Sequence, residues 1–185
     1  LYNSTVLEGT SEALMLPYNA AYCLCRQGKR SDASRWFDIY TSKGISLYRE
    51  DALCRRADCD FALKNYKDAA TSYQKVMSEF FSADNIYPYY QLSMCYGLLR
   101  DNKKKVATLS YVKNASPQSP MYAQAFYELG KTQMEMGSNQ MAIETFRSLY
   151  SNSSDPVSQA RALIGQGMVL RNISRYEQAL EGYKK

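Results

Sequence analysis

The sequence predicts an all-α protein, an α-solenoid of about five antiparallel helix pairs. Three observations carry this. Breakers are scarce, with nine glycines and five prolines among 185 residues, and the abundant Ala, Leu, Gln, Glu, Lys and Arg favour helix. Strand-like alternation is nowhere sustained. Small and bulky residues also recur with a common period of 36 or 37 residues, the mark of a stacked repeat array.

The columns of that repeat define its elements in order. A small or matching residue stands at Ala33, Ala69, Lys105, Ala142 and Ala179, and a bulky one four positions later at Phe37, Tyr73, Leu109, Phe146 and Tyr183. Twelve positions before the first column lie Ala21, Ala57, Ser93, Gly130 and Gly167, and four before those lie Pro17, Leu53, Tyr89, Phe126 and Leu163. Each unit then reads as two helices: small residues let them approach, and the bulky column fills the gap to the next unit. This register predicts that Gly130 touches Ala142 and that Ala57 touches Ala69. Turn signals separate the two helices of each pair at Gly28-Lys-Arg, Lys64-Asn65, Arg100-Asp-Asn, Gly137-Ser-Asn and Asn172-Ile-Ser. Looser breaks separate the units at Lys43-Gly44, Ser82–Asn85, Ser116–Pro120 and Ser151–Pro156, with Ser, Asp, Asn and Pro suited to open the next helix. One unit alone leaves its apolar face bare, so stacking supplies the core.

The segments Tyr127-Glu-Leu-Gly130 with Gly137, Ala142-Ile-Glu-Thr-Phe146, Tyr66-Lys-Asp-Ala-Ala-Thr-Ser-Tyr73 and Tyr176-Glu-Gln-Ala-Leu-Glu-Gly-Tyr183 resemble the tetratricopeptide repeat family. The resemblance implies a right-handed solenoid and protein or peptide partners. It divides the chain into residues 1–13, the end of a preceding repeat, and an array over 14–185. Its units lie near 14–47, 50–83, 86–119, 123–156 and a truncated 160–185. An array cut in this way exposes Tyr176, Leu180 and Tyr183, so self-association through uncapped ends is expected. The loop Ser116–Pro120 before Tyr122-Ala-Gln-Ala-Phe126 resembles bacterial cell-envelope members, which implies a periplasmic or envelope location, with the cytoplasm as the alternative. Lys105 departs from the Ala of its column and predicts a looser third pair.

Composition narrows the function. Net charge is +5, below the concentrated basic patch of a nucleic-acid binder. Histidine is absent, which removes the usual general base, the Ser-His and Cys-His pairs and most zinc sites. No Gly-rich phosphate loop, catalytic carboxylate pair or activated nucleophile is recognisable. The sequence therefore predicts no enzyme, no catalytic residue, no cofactor and no metal site. It contains no run of ~18 apolar residues and so predicts no membrane span. The Lys103–Lys105 run reads as a solvated helix edge.

The cysteines Cys23, Cys25, Cys54, Cys59 and Cys95 lack the spacing of a zinc site. Cys23, Cys59 and Cys95 share a column continued by Thr132 and Val169, which predicts a small buried slot holding unpaired thiols. Cys23 and Cys25 diverge by roughly 200° on a helix and cannot bond to each other.

A concave groove remains as the functional surface. The outward positions of the first helices carry Tyr18, Tyr22, Arg55, Phe61, Tyr87, Tyr90, Met94, Tyr127, Lys131, Met134, Arg161 and Met168. Tyrosine and methionine offer large adaptable contact area, so the predicted function is a non-catalytic protein–protein interaction scaffold. It binds a peptide or partner helix in this Tyr/Met-lined groove. The same aromatics also suit packing between successive first helices. Two alternatives are an RNA-binding helical-repeat protein and an accessory array of a larger multidomain protein. Base readout needs a polar or basic code. Tyr18, Cys54, Tyr90, Tyr127 and Ile164 provide none, so no nucleic acid is expected.

Overall fold

The computed structural model describes residues 10–43, 47–82 and 85–184. The break expected at Gly44, the middle of the Ser82–Asn85 break and most of the segment 1–13 lie outside them. Among the described residues the protein contains ten α-helices and no strand. They are α1 (Ser11–Arg26), α2 (Arg30–Ser42), α3 (Arg49–Ala62), α4 (Tyr66–Glu79) and α5 (Ile86–Leu98), then α6 (Asn102–Ser110), α7 (Tyr122–Glu135), α8 (Asn139–Asn152), α9 (Pro156–Asn172) and α10 (Tyr176–Tyr183). A 3-10 turn, Tyr111–Asn114, extends α6. Helix α1 begins three residues before the boundary expected at 14, and α9 four before that expected at 160.

The helix pairs share one tight turn. The residue that closes each first helix adopts a left-handed conformation at Gly28, Lys64, Arg100, Gly137 and Ser174. The next amide then donates back to the carbonyl five residues earlier: Lys29 to Leu24, Asn65 to Asp60, Asp101 to Tyr96, Ser138 to Gln133 and Arg175 to Leu170, at 2.8–3.0 Å. This bond satisfies a carbonyl that the helix end would otherwise leave without a donor. Glycine supplies the positive φ in two of the five turns, where it avoids the steric cost that Lys64, Arg100 and Ser174 bear.

Helix starts follow local chemistry. The Thr10 hydroxyl accepts from the Ala13 amide at 3.1 Å and opens α1. Asp101 accepts from the Lys104 amide at 3.0 Å to open α6. At α9, Asp155 accepts from the Val157 and Ser158 amides at 3.3 and 2.9 Å, and Pro156 occupies the first turn. The Ser158 hydroxyl, followed by these amides, holds the Asp155 carboxyl below its usual range.

The chain divides into two compact units, parting between Phe81 and Ser82. In the first unit, Ala21, Ala33, Phe37, Tyr40, Ala52 and Cys59 form a buried cluster flanked by Tyr18, Tyr22, Leu24, Cys25 and Trp36. In the second, Ala142, Ile143, Phe146, Val169, Leu170 and Ala179 form another, flanked by Tyr127, Met134 and Ile173. The small column is buried at every position from Ala33 to Ala179. The bulky column is buried at Phe37, Tyr73, Leu109 and Phe146, whereas Tyr183 is exposed together with Tyr176 and Leu180.

The structure adds detail to one expectation and corrects two. The Phe146 ring lies closest to Gly130: a Cβ added there would meet the ring at 2.8 Å, and one added at Gly165 would meet it at 2.5 Å. The Phe146 ring thus packs on Gly130 and on Gly165 and spans the step from α7 to α9. Lys105 does not belong to a solvated edge. Its stem lies beside Gly97, and its buried ammonium meets the Glu128 carboxylate at 3.0 Å. Cys23 is exposed, although Cys59 and Cys95 in its column are fully buried. Cys59 Sγ meets Cys25 Sγ of α1, so the column faces the preceding first helix. On α1 no described residue covers that face.

Candidate functional site

Helices α7 and α9 meet α5 and α8 around a cavity of about 320 Å³, lined by Tyr90, Ala123, Gln124, Tyr127, Glu128, Leu149, Ser158 and Arg161. Three of the predicted groove residues, Tyr90, Tyr127 and Arg161, are thus brought together in the second unit. Tyr90 is buried, and its hydroxyl accepts from Gln124 Nε2 at 2.8 Å, joining α5 to α7. Burial raises its phenol above the ordinary value, so Tyr90 remains a neutral hydrogen-bonding group. Tyr127 is half-buried: one side of its ring packs against Phe146 at 5.7 Å between centroids, and the residue also lines the cavity.

The two charged residues of the lining are paired differently. Glu128 is paired with Lys105 at 3.0 Å and lies 3.9 Å from Lys131. Arg161 is exposed and forms no salt bridge among the described residues. A planar guanidinium suits a carboxylate. Ser158, in the first turn of α9, lines the cavity, and its hydroxyl donates to the capping Asp155 at 2.6 Å.

The remaining predicted residues lie elsewhere. In the first unit the Tyr18 hydroxyl donates to Asp51 Oδ2 at 2.9 Å, and Tyr22 donates to the same oxygen. Arg55 lies 3.4 Å from Asp51 and 2.5 Å from Asp58, which also accepts from Tyr73. Burial first, then the Asp51 carboxylate, push the Tyr22 phenol well above its ordinary range. Tyr18 further packs against Tyr22, Tyr40 and Tyr48 at 5.0–5.3 Å. These side chains are committed to joining α1 and α3. Phe61 meets Tyr66 edge-on at 5.4 Å. Tyr87, Met94 and Met168 are half-buried, and Met134 packs onto the second unit's core. Lys131 is exposed beside Glu128 and Glu135.

Sequence reasoning missed Asp51, Ala123 and Ser158. Asp51 stands one helical turn before Arg55, a spacing that brings opposite charges together. Ser158 follows Asp155-Pro156, the cap signature of α9. Among the described residues no His, Cys, Asp and Glu cluster of metal-binding size occurs, and no helix is long and apolar enough to cross a membrane.

Comparison with known proteins agrees with this architecture. Residues 51–80 and 124–155 match the tetratricopeptide repeat family. No curated protein matches the sequence. A crystal structure of MamA protein is similar with a TM-score of 0.75 at 17% identity, covering 95% of this chain and 90% of that one. YrrB, described as a tetratricopeptide repeat protein with an unusual peptide-binding site, is similar with a TM-score of 0.71 at 17% identity, covering 96% and 86%. A tetratricopeptide repeat protein from Parabacteroides merdae gives a TM-score of 0.74 at 16% identity, covering 94% of this chain and 64% of that one. At these identities the likeness shows the fold, an all-α solenoid of repeats.

Proposed function

This chain is a tetratricopeptide repeat protein, and on that premise we propose that it binds an extended peptide segment in the Tyr90–Tyr127–Arg161 cavity. Its repeats support an interaction scaffold in the coarse sense, the role such arrays generally serve without catalysis. The observation that carries the finer reading is the juxtaposition of the half-buried Tyr127 ring with Arg161, which forms no salt bridge among the described residues. An apolar peptide side chain packs on Tyr127 while a neighbouring carboxylate meets the guanidinium. Gln124 and Tyr90 offer polar atoms at the cavity wall. The peptide-binding site named for YrrB lends the reading support as an analogy of fold.

Selection of a random peptide library on the full chain tests this. The enriched sequences are expected to pair an acidic with an apolar residue. Tyr127→Ala should weaken the selected peptide by ~2 kcal/mol or more, about thirtyfold. A thermal melt run in parallel separates this loss from loosening of the Phe146 contact. Lys103→Ala, on an exposed helix edge, serves as the control. Binding lost in Lys103→Ala and kept in Tyr127→Ala would place the peptide outside the groove.

A further inference from the structure

The cysteine column hides a pair that compares unequal positions. Cys25, near the end of α1, and Cys59, on α3, bring their sulfurs to 3.5 Å, and both are free thiols. They are separated by 34 positions in the chain and belong to the same compact unit. Cys59 is fully buried, whereas Cys25 is half-buried at the rim of the first unit's core.

We propose that Cys25 and Cys59 form a reversible disulfide site that joins α1 to α3 when the protein meets a low-molecular-weight disulfide of the glutathione class. A disulfide needs sulfurs at ~2.05 Å, so the two must close by roughly 1.5 Å. That movement is within reach of side-chain rotation on helices already packed through the Ala21, Ala52 and Cys59 cluster.

The order of events follows from exposure. Cys25 loses its proton to solvent, and its thiolate attacks the small disulfide. A Cys25–S bond forms, the external S–S bond breaks, and one small thiolate leaves and takes up a proton. Burial pushes the Cys59 thiol up to about 12, so Cys59 is suited to the second, intramolecular step rather than to starting the exchange. Its sulfur gives up its proton and attacks Cys25 Sγ, releasing the second small thiol. In sum the two protein thiols lose two electrons and two protons, and the external disulfide becomes two thiols. A reducing thiol in excess reverses both steps.

The site differs from the other thiols in kind. Cys54 and Cys95 are buried, each pushed up to about 12 chiefly by burial, and Cys23 is exposed. The bond would fix the Cys25 end of α1, beyond the tyrosines that reach Asp51, directly to the last turn of α3.

The test uses the full chain carrying Cys23→Ser, which removes the exposed competing thiol and leaves four of the five cysteines. The folded protein is held at neutral pH with excess glutathione disulfide, well below its melting temperature. After quenching and unfolding, the thiols are counted and the non-reduced peptides are mapped by mass. The expected result is a fall from four thiols to two, with a cross-linked peptide containing Cys25 and Cys59, and full recovery on adding dithiothreitol. In the same background, Cys59→Ser should retain one glutathione on Cys25, and Cys25→Ser should retain its three thiols. Circular dichroism confirms that each variant is folded. Four thiols surviving oxidation, or a cross-link that joins Cys54 or Cys95 or two chains, would overturn the proposal.

Discussion

Phe37 in the first unit and Phe146 in the second occupy the same column of the repeat, yet their surroundings differ. Phe37 meets the edges of Tyr18 and Tyr22 at 6.2 and 5.6 Å. Those tyrosines in turn spend their hydroxyls on Asp51. Phe146 instead presses against two glycines, one on its partner helix and one on the next first helix. Both units use ring contacts and polar links, but around this column the first unit gathers tyrosine hydroxyls on Asp51, whereas the second sets the Phe146 ring against bare backbone as well as against Tyr127. The difference explains which groove residues remain available. Tyr18, Tyr22 and Arg55 are committed to internal contacts, whereas Tyr127 and Arg161 line a cavity.

The comparison is broken most forcefully at Phe146. Phe146→Ala removes a buried ring whose room Gly130 and Gly165 cannot refill, and should destabilise the protein by ~3–5 kcal/mol. A thermal or urea melt checks this, and a loss below ~1 kcal/mol would mean that the helices collapse onto the vacancy. In the first unit the corresponding probe is polar. Asp51→Ala strips the acceptor from two half-buried tyrosine hydroxyls and a carboxylate from Arg55, at an expected cost of ~1–3 kcal/mol. Tyr18→Phe should then cost less in the Asp51→Ala background than in the wild type, because the hydroxyl has lost Asp51 and keeps only Tyr22.

The smallest effect concerns Asp60, which is buried and accepts from the Ser34 hydroxyl at 3.0 Å. Burial raises its carboxyl above the ordinary value, outweighing the opposing pulls of Ser34 and Arg56. A raised folded value means that the folded state favours the protonated form. Its favourable contribution is complete below the unfolded value and is lost as pH rises through the folded one. Asp60→Asn, which keeps an acceptor for Ser34, should therefore melt above wild type at pH 7. That advantage should shrink towards pH 4. An advantage that grows on acidification would reverse the sign of the burial argument.

Much of this architecture is legible in the sequence because the helix pair imposes one period. The Ala and Gly columns, the bulky column and the left-handed turns all recur at that spacing, and comparing equal positions finds them. What such comparison misses is contact between unequal positions. Cys25 and Cys59 are offset within the repeat, so the column placed Cys23 in a slot that it does not occupy. Lys105 reads as surface by its type, but its long stem reaches Glu128 on the next helix pair and carries the charge to a partner. Asp51 resembles any acidic residue in a first helical turn, and its role depends on two tyrosines about thirty residues away. Tyrosine itself is ambiguous in a helical array, since packing and binding call for the same side chain. The structure separates Tyr18 and Tyr22 from Tyr127 by what their rings and hydroxyls already touch.

The central claim is that peptide recognition belongs to the cavity of the second unit. Backbone amide spectra of the full chain, titrated with a peptide selected on it, test this most directly. The account predicts that the largest shifts fall at Ala123, Gln124, Tyr127, Ser158 and Arg161, with Tyr18, Tyr22 and Arg55 unmoved. Shifts concentrated at Tyr18, Tyr22 and Arg55, with the Tyr127 and Arg161 amides unchanged, would contradict it.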